Sequence, residues 1–312
     1  MSTSVRQNGD FCWINVLTPQ PGDAKKFFTG LLGWTYGDLG GMGSSIKVDG
    51  NDIGGLFDLN SPQTPPGTPP VIGVMVKVDN ADATAAKAKS LGGRAKDAFD
   101  IADNGRMAEL FDPNGAEIDV WQPKKEQATI ADPSHHGAPS WFETYTPDVE
   151  AGKKFYTELF GWTAQTMPMP GMDYTVFNIG EKMIAGMMQP TPEMKNMPSQ
   201  WVTYFTVNDA DETAKKAVEL GGKVKVQPTD IPTVGRFSAI ESPQGVGFLV
   251  IKYLPRVSPG DARVTQHMTS TARSDRADQH RAQDQSCEGR LSALPVAGAR
   301  NQYEHSPESI RM

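Results

Sequence analysis

Histidine and cysteine are scarce in this sequence, and their positions limit the chemistry that it can support. The two cysteines, Cys12 and Cys287, lie far apart, so neither a disulfide framework nor a thiolate metal site is available. This scarcity agrees with a reducing cytoplasm, which is the location that we predict. Of the five histidines, two are His135 and His136 and three follow residue 255. The two main stretches of the chain, 10–122 and 139–255, therefore contain no imidazole.

Long apolar segments and a strong positive charge are also missing. No stretch approaches the roughly 20 apolar residues that a membrane helix needs, and the segment 1–10 is polar and has no signal-peptide block. We therefore predict a soluble protein that is not exported and has no membrane partner. The net charge of −7 disfavours nucleic acid as a partner, because phosphate binding needs clustered Lys and Arg. The sequence has no Walker loop, dinucleotide fingerprint, nucleophile elbow or Cys-His pair.

What the sequence does contain is an internal duplication. Residues of the first half recur 128 positions later without a gap, and a second group recurs 129 positions later. The first group runs from Trp13 to Thr35 and matches Trp141 to Thr163; the second runs from Val78 to Gly93 and matches Val207 to Gly222. A chain of 312 residues has room for two such domains, each with its own core. We predict one domain over 1–122, a linker over 123–138 and a second domain over 139–255.

The segment 256–312 differs in composition from the rest of the chain. It holds eight Arg and no Lys, whereas residues 1–255 hold eighteen Lys and four Arg. It is rich in Ser, Gln, Arg and Asp and has no sustained apolar period, so it buries too little surface to offset the entropy of ordering. We predict a disordered, dispensable tail of separate origin.

Each repeat contains the pattern of a strand, a helix and further strands twice. In the first copy, Ala24, Phe27, Phe28, Leu31 and Leu32 form the apolar stripe of a helix that packs on a sheet. Gly33 follows as a left-handed helix stop. Two such modules side by side leave one sheet face free of helices, and that face curls into a cup for a small ligand.

These motifs resemble the vicinal-oxygen-chelate superfamily, which includes glyoxalases, bleomycin-resistance proteins and extradiol dioxygenases. The resemblance rests on the helix ends at 27–34 and 155–162, on Leu-Gly-Gly at 91–93 and 220–222, and on the turns at 112–115 and 242–245. It is closest to a two-domain glyoxalase-like branch that includes a mycobacterial antigen. It implies an α+β fold of tandem domains, each built from two paired β-α-β-β-β modules that form a cupped mixed sheet with helices on its outer face.

Catalytic members of this superfamily hold a divalent metal with His or Glu from the first strand, the second module and the last strand. The positions of this sequence that match those metal ligands do not supply a complete ligand set. In the first domain they are Asn15, then Val71 or Gly73, and then Asp119. In the second domain they are Glu143, then Gln200 or Val202, and then Leu249. A register shift would add Glu117, and Asp58 or Gln189 would add an oxygen donor. The cofactor therefore stays unknown: a divalent metal is open, as a weak oxygen site of Asn15, Asp58 and Asp119, but the ligand triad is incomplete.

Two carboxylates are candidate catalytic residues. Glu143 lies on a predicted strand between Trp141 and Tyr145, where desolvation would raise its pKa into the range of a general base. The alternative is a structural carboxylate that is hydrogen bonded across the sheet or left in water. Asp119 has the same two interpretations, because Glu117, Asp119 and Trp121 alternate on one face that is either the cup or solvent.

The candidate ligand-binding residues are aromatic, amide, methionine and arginine side chains. Eight of the fourteen methionines fall between Met167 and Met197, where flexible thioethers suit an adaptable pocket or fill an irregular core. Two arginines precede the same late strand of each repeat and would bind a carboxylate or phosphate if they faced the cups; otherwise they are surface residues. The full set is Trp13, Asn15, Trp141, Tyr145, Met172, Tyr174, Met187, Trp201, Arg106 and Arg236.

Three functions follow from this sequence. The first is a glyoxalase- or resistance-type protein that binds a small molecule in its cup, with a role in detoxification. The second is a metal-dependent lyase or dioxygenase, and the third is a non-catalytic interaction scaffold. We favour the first and leave the chemistry open. The fusion of two domains supplies within one chain the pairing that single-domain relatives obtain by dimerising, so a monomer and a homodimer are both compatible with the sequence.

Overall fold

The computed structural model describes residues 6–62, 64, 66–125, 131–169, 171–194 and 197–255. The predicted tail, 256–312, and part of the predicted linker lie outside these residues. Within them, no helix is long and apolar enough to cross a bilayer.

The first half of the described chain forms one mixed sheet with two helices. Its elements are β1 (Phe11–Thr18), α1 (Pro21–Leu32), β2 (Thr35–Asp38), β3 (Ser44–Val48), β4 (Asn51–Asp58), β5 (Val71–Lys77), α2 (Ala81–Ser90), β6 (Arg94–Ala95), β7 (Phe99–Ile101), β8 (Gly105–Phe111) and β9 (Glu117–Pro123).

The second half repeats this arrangement. Its elements are β10 (Pro139–Tyr145), α3 (Val149–Phe160), β11 (Thr163–Met169), β12 (Met172–Ile179), β13 (Lys182–Met188), a 3-10 turn (Pro192–Met194), β14 (Gln200–Thr206), α4 (Ala210–Glu219), β15 (Lys223–Ile231), β16 (Gly235–Glu241) and β17 (Gly247–Tyr253).

Both sheets have the same strand order, which confirms the predicted α+β fold of tandem domains. The first sheet runs β2-β3-β4-β1-β5-β9-β8-β6, with β7 on β8, and the second runs β11-β12-β13-β10-β14-β17-β16-β15. The first strand of each sheet is parallel to the fourth and antiparallel to the strand that opens the second module. The two modules of a domain therefore meet at the centre of its sheet, between β1 and β5 and between β10 and β14.

Local sequence explains where the helices begin and end. α1 ends at Gly33 and α3 ends at Gly161, both in the left-handed conformation at φ 70° and 73°, as the sequence predicts. The side chains of Asn80, Asp148 and Asp209 cap α2, α3 and α4 by accepting a hydrogen bond from a first-turn N–H.

The helices lie between the two sheets, and the cores that they complete belong to both domains. One cluster joins α1 and the core side of β1 to α4, β14 and β17; Phe28, for example, packs against Phe248 with ring centroids 5.4 Å apart. The other cluster joins α2, β5 and β8 to α3 and β12. Each core thus combines one module from each half, so the two domains form a single hydrophobic unit.

The repeated Gly-Trp at each helix end ties the domains together. The Trp34 indole donates to the carbonyl oxygen of Gly137 at 2.8 Å, and the Trp162 indole donates to the carbonyl oxygen of Gly9 at 3.0 Å. Both glycines come just before the first strand of the other domain, and both have positive φ. The tryptophans therefore fix the start of the opposite sheet as well as filling the core.

The methionine-rich segment differs from its expected form. Pro168 and Gly171 were expected to form a loop over a pocket, together with Pro170, which lies outside the described residues. Instead, Pro168 lies in β11, an edge strand that the sequence did not reveal, and Met169 pairs with Met172 at a hairpin with β12. The segment extends the sheet, because pairing with β12 satisfies the hydrogen-bonding groups of its backbone.

Candidate functional site

The face of each sheet opposite the helices forms a cup, and strand alternation assigns the residues that line it. Along β1, Ile14 and Val16 are buried toward the helices, whereas Trp13 and Asn15 are half-buried on the other face. We call this face of the first sheet cup 1 and the equivalent face of the second sheet cup 2. In β10 the equivalent positions place Trp141, Glu143 and Tyr145 on cup 2.

The floor of cup 1 is open at its centre. Asn15 pairs with Gly55 on β4 and with Gly73 on β5, so two of these three neighbouring positions have no side chain. The Phe57 ring leans over Gly55, but a Cβ atom built at Gly73 would meet nothing closer than the Asn15 Cβ atom, 3.7 Å away. A depression beside Asn15 results.

Asp119 forms the polar wall of this depression. Asn15 Nδ2 donates a hydrogen bond to Asp119 Oδ2 at 3.3 Å, although the two residues are 104 positions apart. Asp119 Oδ1 and the Nε1 of Trp121 are both buried and have no hydrogen-bond partner. Buried polar atoms are normally paired, so this unmet donor and acceptor are unusual. Cup 1 thus has an unmet acceptor at Asp119 beside the depression. The unmet donor of Trp121 lies farther along the sheet, because Trp121 pairs with Lys77, four positions from Gly73 on β5.

Burial and neighbouring acids raise the pKa of Asp119 well above its usual range. Desolvation is the main cause, the negative charges of Glu117 and Glu109 add to it, and the Asn15 hydrogen bond opposes it. Glu109 is itself paired with Lys96. A carboxyl group in this environment holds its proton to higher pH than an ordinary aspartate, which suits it to donate a hydrogen bond or a proton.

The central carboxylate of cup 2, Glu143, differs from Asp119 in its hydrogen bonding. Tyr174 donates to Glu143 Oε2 at 2.5 Å and Tyr204 donates to Glu143 Oε1 at 3.0 Å, and the Tyr145 hydroxyl is a further partner. The Trp141 indole in turn donates to the Tyr174 hydroxyl oxygen at 2.9 Å. Burial raises the pKa of Glu143, and the tyrosine hydrogen bonds lower it in part. Both carboxylate oxygens are therefore already occupied.

The same tyrosine fills the floor of cup 2. Glu143 pairs with Gly186 on β13 and with Val202 on β14. The Tyr174 hydroxyl lies so close to Gly186 that a Cβ atom there would overlap it. Val202 supplies a branched side chain where cup 1 has Gly73. The central depression of cup 1 thus has no equivalent in cup 2.

Neither cup fits the metal centre that the superfamily implies. Within the part of the chain that the structure describes, no three His, Cys, Asp or Glu side chains come together as ligands. Asn15 and Asp119 do converge, but Gly73 occupies the third position, and Asp58 is exposed and accepts hydrogen bonds from Asn60 instead. In cup 2, Val202 and Leu249 are apolar and Glu143 is bound by tyrosines. Two oxygen side chains are fewer than a resident metal needs.

Two of the predicted ligand-binding residues are arginines that do not reach the cups. Arg106 and Arg236 have the same strand parity as helix-facing residues of β8 and β16 such as Leu110 and Ile240, so they lie on the helix side of the sheets. Each forms a two-pronged ion pair with the first turn of a helix, Arg106 with Asp82 and Arg236 with Asp211, at 2.7 and 2.9 Å. The expectation that they line the cups is corrected, because strand parity places both on the face opposite the cups.

Two further predicted residues, Met187 and Trp201, point into the core. Both lie opposite Thr144, on the helix face of the second sheet, and both are buried. The Trp201 indole donates to the Tyr156 hydroxyl oxygen at 2.9 Å. Met172 is half-buried at the start of β12 and shares the alternation of Tyr174, at the rim of cup 2. Strand alternation determines these placements. The sequence does not show which face is which, because aromatic and methionine residues occur on both faces of these strands.

Three residues that shape the cups were not proposed from the sequence as ligand contacts. Gly73 matters because it lacks a side chain, Trp121 because its donor is unmet, and Tyr204 because it binds Glu143. Trp121 was detectable, since it alternates with Asp119. Tyr204 follows Trp201 by three positions and so lies on the opposite face of β14. The local sequence does not show which of the two residues faces the cup.

Comparison with known proteins agrees with this architecture. A family model described as the Glyoxalase/Bleomycin resistance protein/Dioxygenase superfamily matches residues 11–120 and 138–250. The chain belongs to this superfamily. The resemblance predicted from the sequence is thereby confirmed, and both copies of the repeat are superfamily domains.

Several superfamily members are similar over most of their length. The protein named "Putative glyoxylase CFP32" from Mycobacterium tuberculosis is 36% identical over 252 residues, which cover 78% of this chain and 95% of the relative. The anthracycline biosynthesis protein DnrV from Streptomyces peucetius is 30% identical and covers 77% of this chain and 92% of its own. Among solved structures, the Mn(II)-bound glyoxalase from Novosphingobium aromaticivorans has a TM-score of 0.56 at 14% identity, covering 82% of this chain and 85% of that one. This last likeness is one of fold.

Proposed function

We propose that the chain binds an oxygen-bearing organic molecule in cup 1. The observation that carries the proposal is the open floor at Gly73 beside Asp119 Oδ1, a buried polar atom without a partner. Because the pKa of Asp119 is raised, its protonated carboxyl group would donate a hydrogen bond to a ligand oxygen placed there.

The surroundings favour a ligand with an apolar, aromatic body. Trp13, Leu17 and Phe57 are half-buried around the depression, so each keeps part of its apolar surface available for contact. Aromatic surfaces of this kind stack on planar ligands while the polar floor fixes their orientation. The named relatives, a glyoxylase and an anthracycline biosynthesis protein, extend the proposal to small carbonyl compounds and polycyclic aromatics as ligand classes.

Cup 2 has a structural role in this proposal. Its carboxylate is bound by tyrosines and its floor is filled, so it offers no unmet group at the equivalent place. The two domains have therefore diverged: the first holds the ligand and the second supports it through the shared core.

The test is a Gly73→Val variant, which gives cup 1 the residue that cup 2 has at Val202. Thermal-shift screening of the unaltered protein with daunorubicin, catechol and the methylglyoxal adduct of glutathione selects a probe, whose affinity is then measured by titration calorimetry. Because a Cβ atom at position 73 has only ordinary van der Waals contacts and the two methyl groups of valine would occupy the depression, we expect normal folding and an affinity about tenfold or more weaker.

The matched control is Gly247→Val, at the start of β17, where an added Cβ atom meets nothing within 4 Å. It should bind the probe like the unaltered protein. Equal affinities of the two variants would contradict the proposal, and so would a screen in which none of the three probes raises the melting temperature.

Asp119 also supports a second candidate function, proton transfer to or from the bound molecule. A buried carboxyl group with a raised pKa beside an open floor has the properties of a general acid or base. Asp119 is our candidate in preference to Glu143, because both oxygens of Glu143 accept tyrosine hydrogen bonds. Turnover of a cup 1 ligand that is lost in Asp119→Asn while binding persists would support this role; equal turnover by the variant would contradict it.

A further inference from the structure

A second concavity lies at the seam between the domains. Arg6, Asp10 and Cys12 contribute to it from the first domain, and Phe142, Lys182 and Met183 contribute from the second; we call it the seam pocket. It is built from residues of both halves of the chain. Trp13 lines both this pocket and cup 1, whereas Asn15 and Asp119 do not line the pocket.

The charges that line the seam pocket do not balance. Its one acid, Asp10, is already engaged: Lys182 Nζ lies 3.0 Å from Asp10 Oδ1, and the Gln7 backbone N–H donates to Asp10 Oδ2 at 2.8 Å. Arg6 Nε is buried and has no hydrogen-bond partner. Burial also raises the pKa of the Cys12 thiol to about 12, so this neighbour stays neutral at pH 7. Asp10 also acts as a counter-charge to Arg6, so two cations, Arg6 and Lys182, share one carboxylate.

Partial burial of a guanidinium group that shares its counter-charge is costly, and desolvation lowers the pKa of Arg6 against the opposing effect of Asp10. A planar anion removes this cost, since guanidinium and carboxylate groups form paired hydrogen bonds. The remainder of the pocket is largely apolar, with Phe142, Met183 and Ile184 on the second domain's side. A ligand that fits it therefore carries one negative charge on an apolar body.

We propose that the seam pocket binds an amphipathic carboxylate, with the carboxylate on Arg6 and the apolar part against Phe142 and Met183. This site would share Trp13 with cup 1 but not Asn15, Gly73 or Asp119, and it would have both domains as its walls. A ligand in it would therefore report on, and stabilise, the association of the two halves.

The test uses 2-naphthoate as the probe and its neutral amide, 2-naphthamide, as the matched ligand, both titrated into the full chain by calorimetry. Naphthoate should bind, and naphthamide should bind about tenfold or more weakly, because it lacks the charge. Arg6→Met keeps the apolar stem and should weaken naphthoate by a similar factor without changing naphthamide. Lys26→Met removes an exposed cation that pairs with Asp23 and should change neither affinity.

Two further outcomes separate this site from cup 1. If Gly73→Val weakens naphthoate as Arg6→Met does, the probe occupies cup 1 and the seam proposal is wrong. If naphthoate fails to bind, or binds equally to the unaltered protein and to Arg6→Met, the proposal is also wrong. An unchanged naphthoate affinity in Gly73→Val supports it, whatever the result of the cup 1 experiment.

Discussion

The Trp162 indole donates a hydrogen bond to the carbonyl oxygen of Gly9, 153 residues earlier in the chain, and the same bond recurs between Trp34 and Gly137. Residues 34 and 162 are related by the repeat offset of 128, and so are residues 9 and 137. The duplication thus preserved a reciprocal contact in which each half holds the start of the other's first strand. The contact explains why both copies kept the Gly-Trp sequence.

Gly137→Ala should test the importance of this contact. Gly137 has φ 82°, and an added Cβ atom would overlap the carbonyl oxygen of Leu32, so we expect a loss of about 3 kcal/mol or more in the free energy of unfolding. Gly40→Ala is the matched control: Gly40 has φ 68° with no atom near the added Cβ, and the loss should be about 1 kcal/mol. Urea unfolding measures both, and equal losses would show that the contact at Gly137 is unimportant.

Tyr174→Phe should destabilise cup 2. The change removes the donor to Glu143 Oε2 and the acceptor of the Trp141 indole together, so we expect a loss of about 2 kcal/mol in unfolding free energy. Tyr253→Phe, which removes a single hydrogen bond to the neutral Ser140 hydroxyl, should cost about 1 kcal/mol. If Tyr174→Phe is no worse than this control in urea unfolding, the tyrosine cluster does not hold Glu143 as described.

Asp119→Asn should make the protein more stable at neutral pH. The folded-state pKa of Asp119 lies above the value of 3.8 that represents the unfolded chain. Between these two values the folded state keeps a proton that the unfolded state has lost, so stability falls as pH rises through the interval. The amide has no such dependence. Unfolding free energies of the two proteins should be close near pH 4 and diverge in favour of the variant toward pH 8; a constant difference would contradict the raised pKa.

Arg106→Met and Arg236→Met should leave ligand binding in cup 1 unchanged. Both arginines are paired with helix-turn aspartates on the helix side of the sheets, so their removal does not alter the cup. The measurement is the affinity of the cup 1 probe in each variant. A marked loss for Arg106→Met, which is in the same domain as cup 1, would restore the original expectation that it contacts the ligand.

Local patterns predicted the fold well, because its elements repeat within the sequence. The apolar stripe of α1 and the Gly33 stop are local features, and the structure has both. Alternation likewise placed Trp13 and Asn15 on the cup face. Alternation failed at Trp201 and Met187. Because β13 and β14 have large apolar residues on both faces, alternation does not show which of their faces points into the cup. Arg106 was assignable: it shares its parity with Ala108 and Leu110, which face the helices.

The candidate site was harder to predict, because its decisive features depend on strands that are distant in sequence. Asn15 meets Asp119 only through the pairing of β1, β5 and β9. The floor at Gly73 is open because the neighbouring side chains do not fill the space, and the identity of the residues does not predict this. Glu143 was interpreted as a catalytic carboxylate or a structural one, and only the positions of Tyr174 and Tyr204 on β12 and β14 distinguish these.

The mixed composition of the two cores affects how the chain folds during synthesis. Phe27, Phe28 and Trp34 are covered by Phe205 and Phe248, which leave the ribosome about 200 residues later. At roughly 5 to 20 residues per second, the apolar side of α1 stays uncovered for about 10 to 40 s. The nascent first half therefore exposes apolar surface during that interval, and its core is completed only after Phe248 has been synthesised.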